Sequence, residues 1–419
     1  MTGSRRVTFS HDGPGRRQVG RWALLSAVGS VALVDACSPA AAGTPLLQGL
    51  PPTDGRSDRS TAPARPGLAD RALADLLRLQ GPFPAVADPA GRYPVSAGLT
   101  GAAIAAWAPY WRYVWPRDAS FAAAALARAG HAGHPAAGAQ VMDFLTRIAP
   151  TDGHWQARYL PDGSGRVPDD RGVQSDGAGW VCWAVWSQRA ATGIATPPRW
   201  WPMVRASAEA MATSLGPAGQ PPESSDYWEL APDGVTLETM TAHLVGLRAA
   251  AAVARELDRA AQASRWSQAA GSVAAALRSR WSGAGYPRTL GHGGADAAVG
   301  LLATLAPDLP GLPGAVAAAG RELVLPNGGA RPGAHWPHRD GIAWTPEVGM
   351  LALGSARFDP AAASCWLRWL DTHRTTAGAL PEKVTADGSP ASVAPLGWTC
   401  ALVLLTLAAA RAPLAPPIS

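Results

Sequence analysis

The chain has 419 residues, of which 47% are hydrophobic and only 16% charged, with a formal net charge of +5. That length holds one large domain or two ordinary ones and buries a sizeable core in either case. The basic residues are arginines apart from Lys383, and they are scattered rather than gathered into a stripe, which argues against a nucleic-acid surface.

Residues 1–37 read as an export signal. Arg16, Arg17 and Arg21 supply a positive end, and Trp22 to Val34 an apolar run too short for a comfortable membrane span. Val34-Asp35-Ala36-Cys37 resembles a bacterial lipobox, which would make Cys37 a lipid anchor and the only link to a membrane. The other reading is an ordinary signal peptide cut near Ala41 or Ala42. Both place the protein outside the cytoplasm, in the extracellular space or on the cell envelope. Residues 38–66, rich in Pro, Ala, Gly, Ser and Asp, predict a flexible linker without a fold.

Residues 67–419 predict one all-α domain. Apolar residues at three- and four-residue spacing mark helices near 67–80, 117–130, 134–149, 174–192, 198–215, 237–258, 262–281, 294–306, 314–324, 342–356, 359–375 and 393–411. The links after the second, fourth, sixth and tenth helix are short. Those after the first, third, fifth, ninth and eleventh are long. Short links make antiparallel hairpins, so the alternation gathers the long loops at one end. The expected architecture is an (α/α)6 toroid of six hairpins, with an open solenoid as its rival. Unstructured loops this long are usually functional.

The loops carry the chemistry. Tyr113-Val114-Trp115-Pro116-Arg117-Asp118 brings an aromatic wall, a rigid turn and a charge pair to a helix start, where Pro fits and an acid is favoured. Later loops carry Trp155, Gln174 and Asp176; then Tyr227-Trp228-Glu229; then Arg288; then Trp336 and Trp344; then Pro381-Glu382-Lys383. The 18 tryptophans against 6 tyrosines and 5 phenylalanines suit stacking on sugar rings, although Trp180, Trp183, Trp186, Trp366 and Trp369 fall at core spacing. Glu229 beside aromatics would have its charge disfavoured, as a general acid requires. Glu382 beside Lys383 would be kept ionised, as a base requires. Two carboxyls in opposed settings are the equipment for hydrolysing a glycosidic bond, and an inverting pair stands about 6.5–9.5 Å apart.

Other residues read as structural. Glu238 is a first-turn helix acid, His243 sits mid-helix, and Glu347 suits a cap as well as catalysis. Cys182, Cys365 and Cys400 lie in apolar helical runs, with one disulfide among them left open. No HExxH, P-loop, dinucleotide or serine-elbow motif occurs, so neither a metal nor a cofactor is expected.

Assembled, these segments resemble the family 15 glycoside hydrolases, the glucoamylase and glucodextranase group, over residues 105 to 408. Tyr113 to Asp118 is similar to that family's W-x-R-D segment, whose Arg and Asp hold the terminal glucose. Gln174 to Gly177 resembles its Q-N-D-G segment, and Tyr227 to Glu229 the segment ending in the catalytic acid. Gly378 to Lys383, with Ser389-Pro390 and Leu396 to Trp398, resembles the segment that carries the base. The resemblance implies a six-hairpin toroid and an inverting exo-acting α-glucosidase, with Glu229 as acid and Glu382 as base. Trp115, Arg117, Asp118, Trp155, Gln174, Asp176, Trp228 and Arg288 would bind the substrate, an α-glucan or α-linked oligosaccharide. A monomer is expected. Leu230, Lys383 and Ser175 depart from the family pattern, which bears on the substrate more than on the reaction. Leu230 and Lys383 motivate one rival, a carbohydrate-binding envelope lipoprotein without catalysis, and a trehalase of the same family or an unrelated toroid lyase is the other.

Overall fold

The computed structural model describes residues 67–129, 134–338 and 340–418. The proposed export segment with Cys37, and the proposed linker, lie outside them. Twelve α-helices are found among the described residues. Six form an inner ring: α2 (Pro116–Arg128), α4 (Asp176–Thr192), α6 (Leu237–Glu256), α8 (Val299–Leu305), α10 (Thr345–Ser355) and α12 (Gly397–Ala409). Each packs on the next, and α12 closes the ring on α2. The outer ring is α1 (Leu68–Arg78), α3 (Pro135–Ile148), α5 (Trp201–Ser214), α7 (Ala260–Ala276), α9 (Leu312–Leu323) and α11 (Pro360–Thr372). Each inner helix from α2 to α10 packs on the outer helix that follows it, and α1 packs on α12. The predicted six-hairpin toroid is the observed architecture, and the open solenoid is excluded.

Burial explains which helices went inside. Every residue of α10 is buried, and α12 buries nearly its whole length. The outer α11 buries Ala363 to Leu367, Trp369 and Leu370 and leaves its other residues outside the core, as an amphipathic surface helix should. Trp180 and Trp183 are fully buried against Phe121, and Trp366 and Trp369 are buried too. These are the core tryptophans that the helical spacing predicts.

Inner helices touch through glycine. A Cβ on Gly179 of α4 would lie 2.1 Å from the carbonyl oxygen of Ala242 on α6, and one on Gly246 would lie 2.4 Å from Gly179 Cα. Further round the ring, a Cβ on Gly300 of α8 would meet the Met350 carbonyl of α10 at 2.0 Å.

The long loops, 79–115, 149–175, 215–236, 282–298, 324–344 and 373–396, all lead into N-termini of inner helices. The eighth helix is shorter than predicted. Gly294 is left-handed (φ 58°) and Asp296 pairs with Gly333 as an isolated bridge, which delays the helix to Val299. Three two-residue strands, β1 (Ala343–Trp344), β2 (Lys383–Val384) and β3 (Pro390–Ala391), form an antiparallel sheet in the order β1-β2-β3 within the loops.

Gly179→Ala should destabilise the domain by about 2 kcal/mol or more, because backbone would have to move. Gly271→Ala, exposed on α7 with open space around it, should instead stabilise by up to about 1 kcal/mol. Urea unfolding of the two variants checks the pair.

Candidate active site

Pro116 opens α2, and Arg117 and Asp118 fill its first turn, as the sequence predicts. The Arg117 guanidinium is buried (4% exposed). It donates to Asp176 Oδ2 at 2.9 Å and to Gln174 Oε1 at 3.4 Å, and lies 3.4 Å from Asp118 Oδ2. It also stacks over Trp398, 4.9 Å from the ring centroid. Burial opposes its charge, but Asp176 and Asp118 outweigh that and hold it more firmly protonated than an ordinary arginine. Burial pushes Asp118 up to about 6, against the pull of Arg117. Its Oδ2 has no hydrogen-bond partner among the described residues.

Glu229 sits in a tight turn. Its N–H donates to the Asp226 carbonyl at 2.8 Å, and Asp226 Oδ1 accepts from the Trp228 N–H at 3.0 Å. Glu229 itself has φ 53°, a left-handed conformation that costs a non-glycine residue free energy and that clusters at functional sites. Its Oε1 accepts from the Trp115 indole at 2.6 Å, and its Oε2 is paired with Arg171. The bare apolar setting expected from the sequence is therefore corrected: the aromatics are present, but a guanidinium is too. Arg171 also donates to the Tyr110 hydroxyl. Arg158, buried and paired with Asp169, lies over the rings of Tyr110, Tyr113 and Trp115 at 4.5, 4.8 and 4.9 Å and keeps that wall in place.

Glu382 immediately precedes β2. Its N–H donates to the Val393 carbonyl at 2.8 Å and its carbonyl accepts from Thr345 N at 3.0 Å, so backbone on both sides fixes it. The side chain accepts from Trp111 Nε1 at 3.1 Å and from the Ser392 hydroxyl. Lys383 Nζ lies 3.7 Å from Glu382 Oε2 and 4.0 Å from the centroid of Trp344. The β1–β2 register, Trp344 opposite Lys383, sets that stack.

Glu229, Glu382, Arg117, Asp118, Trp115 and Trp228 line one cleft of ≈ 240 Å³. Tyr110, Trp111, Tyr227, Trp336, Trp344, Glu347, Lys383 and Trp398 complete its polar and aromatic lining. Four proposed binding residues are not on its surface. Gln174 and Asp176 stand behind Arg117, holding it. Trp155 is fully buried, with its indole on Ser207 at 2.9 Å, so it packs and does not stack on a ligand. Arg288 is paired with Asp226 at 2.8 Å and Asp296 at 3.0 Å, and covers the Trp228 ring at 3.6 Å. It backs the wall instead of forming it.

Arg171 and Tyr110 were not singled out by sequence reasoning, although Arg171 lies three residues before Gln174 in the same long loop. Glu347 proves to be both a first-turn acid of α10 and a cleft residue. Burial pushes its carboxyl up to about 8; Asp296 and Glu382 add to this, and Lys383 opposes it. Glu238 is buried and its pKa is pushed well up by burial, then by Asp176 and Asp226. His243 is held neutral, its pKa lowered by burial to about 4.

No family model and no curated protein matches the chain. Solved structures do. A glycosidase in complex with glucose is 21% identical, with a TM-score of 0.62 over 81% of this chain and 95% of that one. The glucoamylase of Saccharomycopsis fibuligera is 12% identical, with a TM-score of 0.64 over 83% and 96%. The family 15 glucoamylase of Hypocrea jecorina is 17% identical, with a TM-score of 0.63 over 83% and 72%. The chain has the fold of the glucoamylases. Around the glucoamylase-like ring, the cleft lies where the long loops meet the inner-helix N-termini.

A buried carboxyl whose folded-state pKa is raised makes folding less favourable as pH climbs from its unfolded value to its folded one. For Glu347 that window runs from 4.5 to about 8. Glu347→Gln should therefore match the unchanged chain in melting temperature near pH 4.5. Above pH 8 it should be the more stable by a few kcal/mol, on the order of 3. Thermal melts across that range read the crossover directly.

Proposed function

We propose that this chain is an inverting glycoside hydrolase that removes terminal α-linked glucose from an oligo- or polysaccharide. The observation that carries the reading is that Glu229 and Glu382 line one tryptophan-walled cleft floored by Arg117 and Asp118. The glucose found with a glycosidase of the same fold supports the choice of sugar. A small cleft closed at its floor by a buried ion pair suits a chain end better than a chain middle.

In this mechanism Asp118 and Arg117 grip hydroxyls of the terminal sugar while Trp228 and Trp115 wall its ring. Glu229 gives its proton to the glycosidic oxygen as the bond from that oxygen to the anomeric carbon breaks. Glu382 takes a proton from a water that attacks the same carbon from the opposite face. Trp111, Ser392 and Lys383 surround Glu382 with donors and a cation, which suits a carboxylate that must begin ionised. For Glu229 to carry a proton its pair with Arg171 has to open. Arg171 lies on a loop and its side chain is 23% exposed, so the leaving sugar can displace it. The export reading of residues 1–37 belongs to the same proposal and supports action outside the cytoplasm.

Incubation with a panel of α-glucans and disaccharides, including trehalose, followed by proton NMR, tests the reading. The expected first product is β-glucose. Glu229→Gln and Glu382→Gln should each lower turnover about a thousandfold with little change in melting temperature. First release of α-glucose from the chain end of an α-glucan would exclude inversion, whereas from trehalose an inverting enzyme frees one β-glucose and one α-glucose. Sugar binding without cleavage of any substrate would favour the non-catalytic rival.

A further inference from the structure

The proposed hydrolysis gives roles to three carboxyls of the cleft, Asp118, Glu229 and Glu382, and leaves a fourth unassigned. Glu347 is 3% exposed and lines the cleft. Its carboxyl is engaged by its own backbone N–H at the start of α10. Its Oε2 has no hydrogen-bond partner among the described residues. Leaving a buried carboxyl oxygen unpaired costs a folded protein more than a hydrogen bond returns, so a residue carrying such a group in the lining of a cleft marks a place for a ligand atom.

The charges around it decide what kind of atom. Asp296 and Glu382 act on Glu347 with negative charge, and Lys383 opposes them. Lys383 is already shared between Glu382 and the Trp344 ring. A second ionised carboxyl beside Glu382 would be poorly compensated, and burial acts in the same direction. A neutral carboxylic acid is an O–H donor that can also accept, which matches a sugar hydroxyl.

We propose that Glu347 is a binding residue whose carboxyl, as a neutral acid, hydrogen-bonds a hydroxyl of the sugar bound in the cleft and selects sugars that carry one there. This rests on the glycoside-hydrolase reading, and it assigns Glu347 to recognition, apart from the proton transfers of Glu229 and Glu382.

Glu347→Leu removes the polar end, while Glu347→Gln keeps a donor in nearly the same shape. On whichever substrate the unchanged chain cleaves, Glu347→Leu should lose about 10- to 100-fold in kcat/KM, and Glu347→Gln less than about threefold. Glucose binding followed by NMR titration should weaken in the same order. Infrared difference spectra between the unchanged chain and Glu347→Gln at pH 7 should show the loss of one protonated-carboxyl C=O band, a readout independent of any substrate and of the folding of Glu347→Leu. Absence of that band overturns the inference. So does a well-folded Glu347→Leu that binds and cleaves as the unchanged chain does. If the unchanged chain neither binds glucose nor cleaves any substrate, the hydrolase reading falls and this inference falls with it. If hydrolysis stands and only the Glu347 variants are silent, the inference falls alone.

Discussion

The floor of the cleft depends on one buried cation. Arg117 has been taken almost wholly out of water, a transfer that is unfavourable unless the charge is paired and its donors are used. Asp176 and Gln174 take donors of its Nη1, Asp118 stands beside its Nε, and the Trp398 ring covers its face. These partners come from α2, from the loop entering α4 and from α12. The guanidinium therefore ties three of the six inner helices together at the end where the long loops converge. Removing either carboxylate partner would leave charge uncompensated in a place water hardly reaches. This is why Asp118 can keep an oxygen without a hydrogen bond beside Arg117 without the floor losing its shape.

The ring geometry adds to this electrostatic arrangement. All six inner helices present their N-termini at the same end, and helix N-termini favour negative charge. Acids occupy the first turns of α2, α4, α6 and α10: Asp118, Asp176, Glu238 and Glu347. Asp296 stands just ahead of α8 and accepts from the Ala298 N–H at 2.9 Å. The fold thus collects carboxyls at one end before any chemistry is considered. Burial then separates their behaviour, with Glu238 and Glu347 pushed toward neutrality and Asp176 committed to Arg117. A first-turn acid on an inner helix of this toroid can therefore be a structural group and a cleft group at once, as Glu347 is.

That double use explains what could and could not be read from the sequence. Helix order, the rhythm of links and the shared end of the long loops follow from apolar spacing and turn residues, which are local. Glu229 and Glu382 were legible because each lies in a short segment of strongly coloured residues: aromatics before the first, proline and the only lysine around the second. Depth was not legible. Each long loop supplies two layers, one facing the cleft and one supporting it, and sequence assigns a residue to a loop without assigning it to a layer. Trp155 and Arg288 were expected on the surface of the site and stand behind it, because Ser207 of α5 and the Asp226–Asp296 pair, distant along the chain, draw them inward. Arg171 was missed for the converse reason. Among the many scattered arginines nothing local marks it, and only the fold brings it to Glu229.

The turn at Glu229 shows how the supporting layer governs the chemistry. A glutamate at φ 53° would relax toward ordinary backbone if its surroundings allowed it. Asp226 prevents this by closing the turn on both the Trp228 and Glu229 amides, and Arg288 pins Asp226 while lying flat on Trp228. Tyr227 is anchored in turn by its hydroxyl on Asp296 at 2.6 Å. Each residue of the Asp226 to Glu229 run is thereby held by a group from another loop or by the turn itself. The left-handed backbone swings the Glu229 carboxyl out of the packed layer, toward the Trp115 indole and into the cleft that Glu382 also lines. Strain at one residue, resisted by an arginine that does not line the cavity, is what lets two glutamates far apart in sequence line the same space.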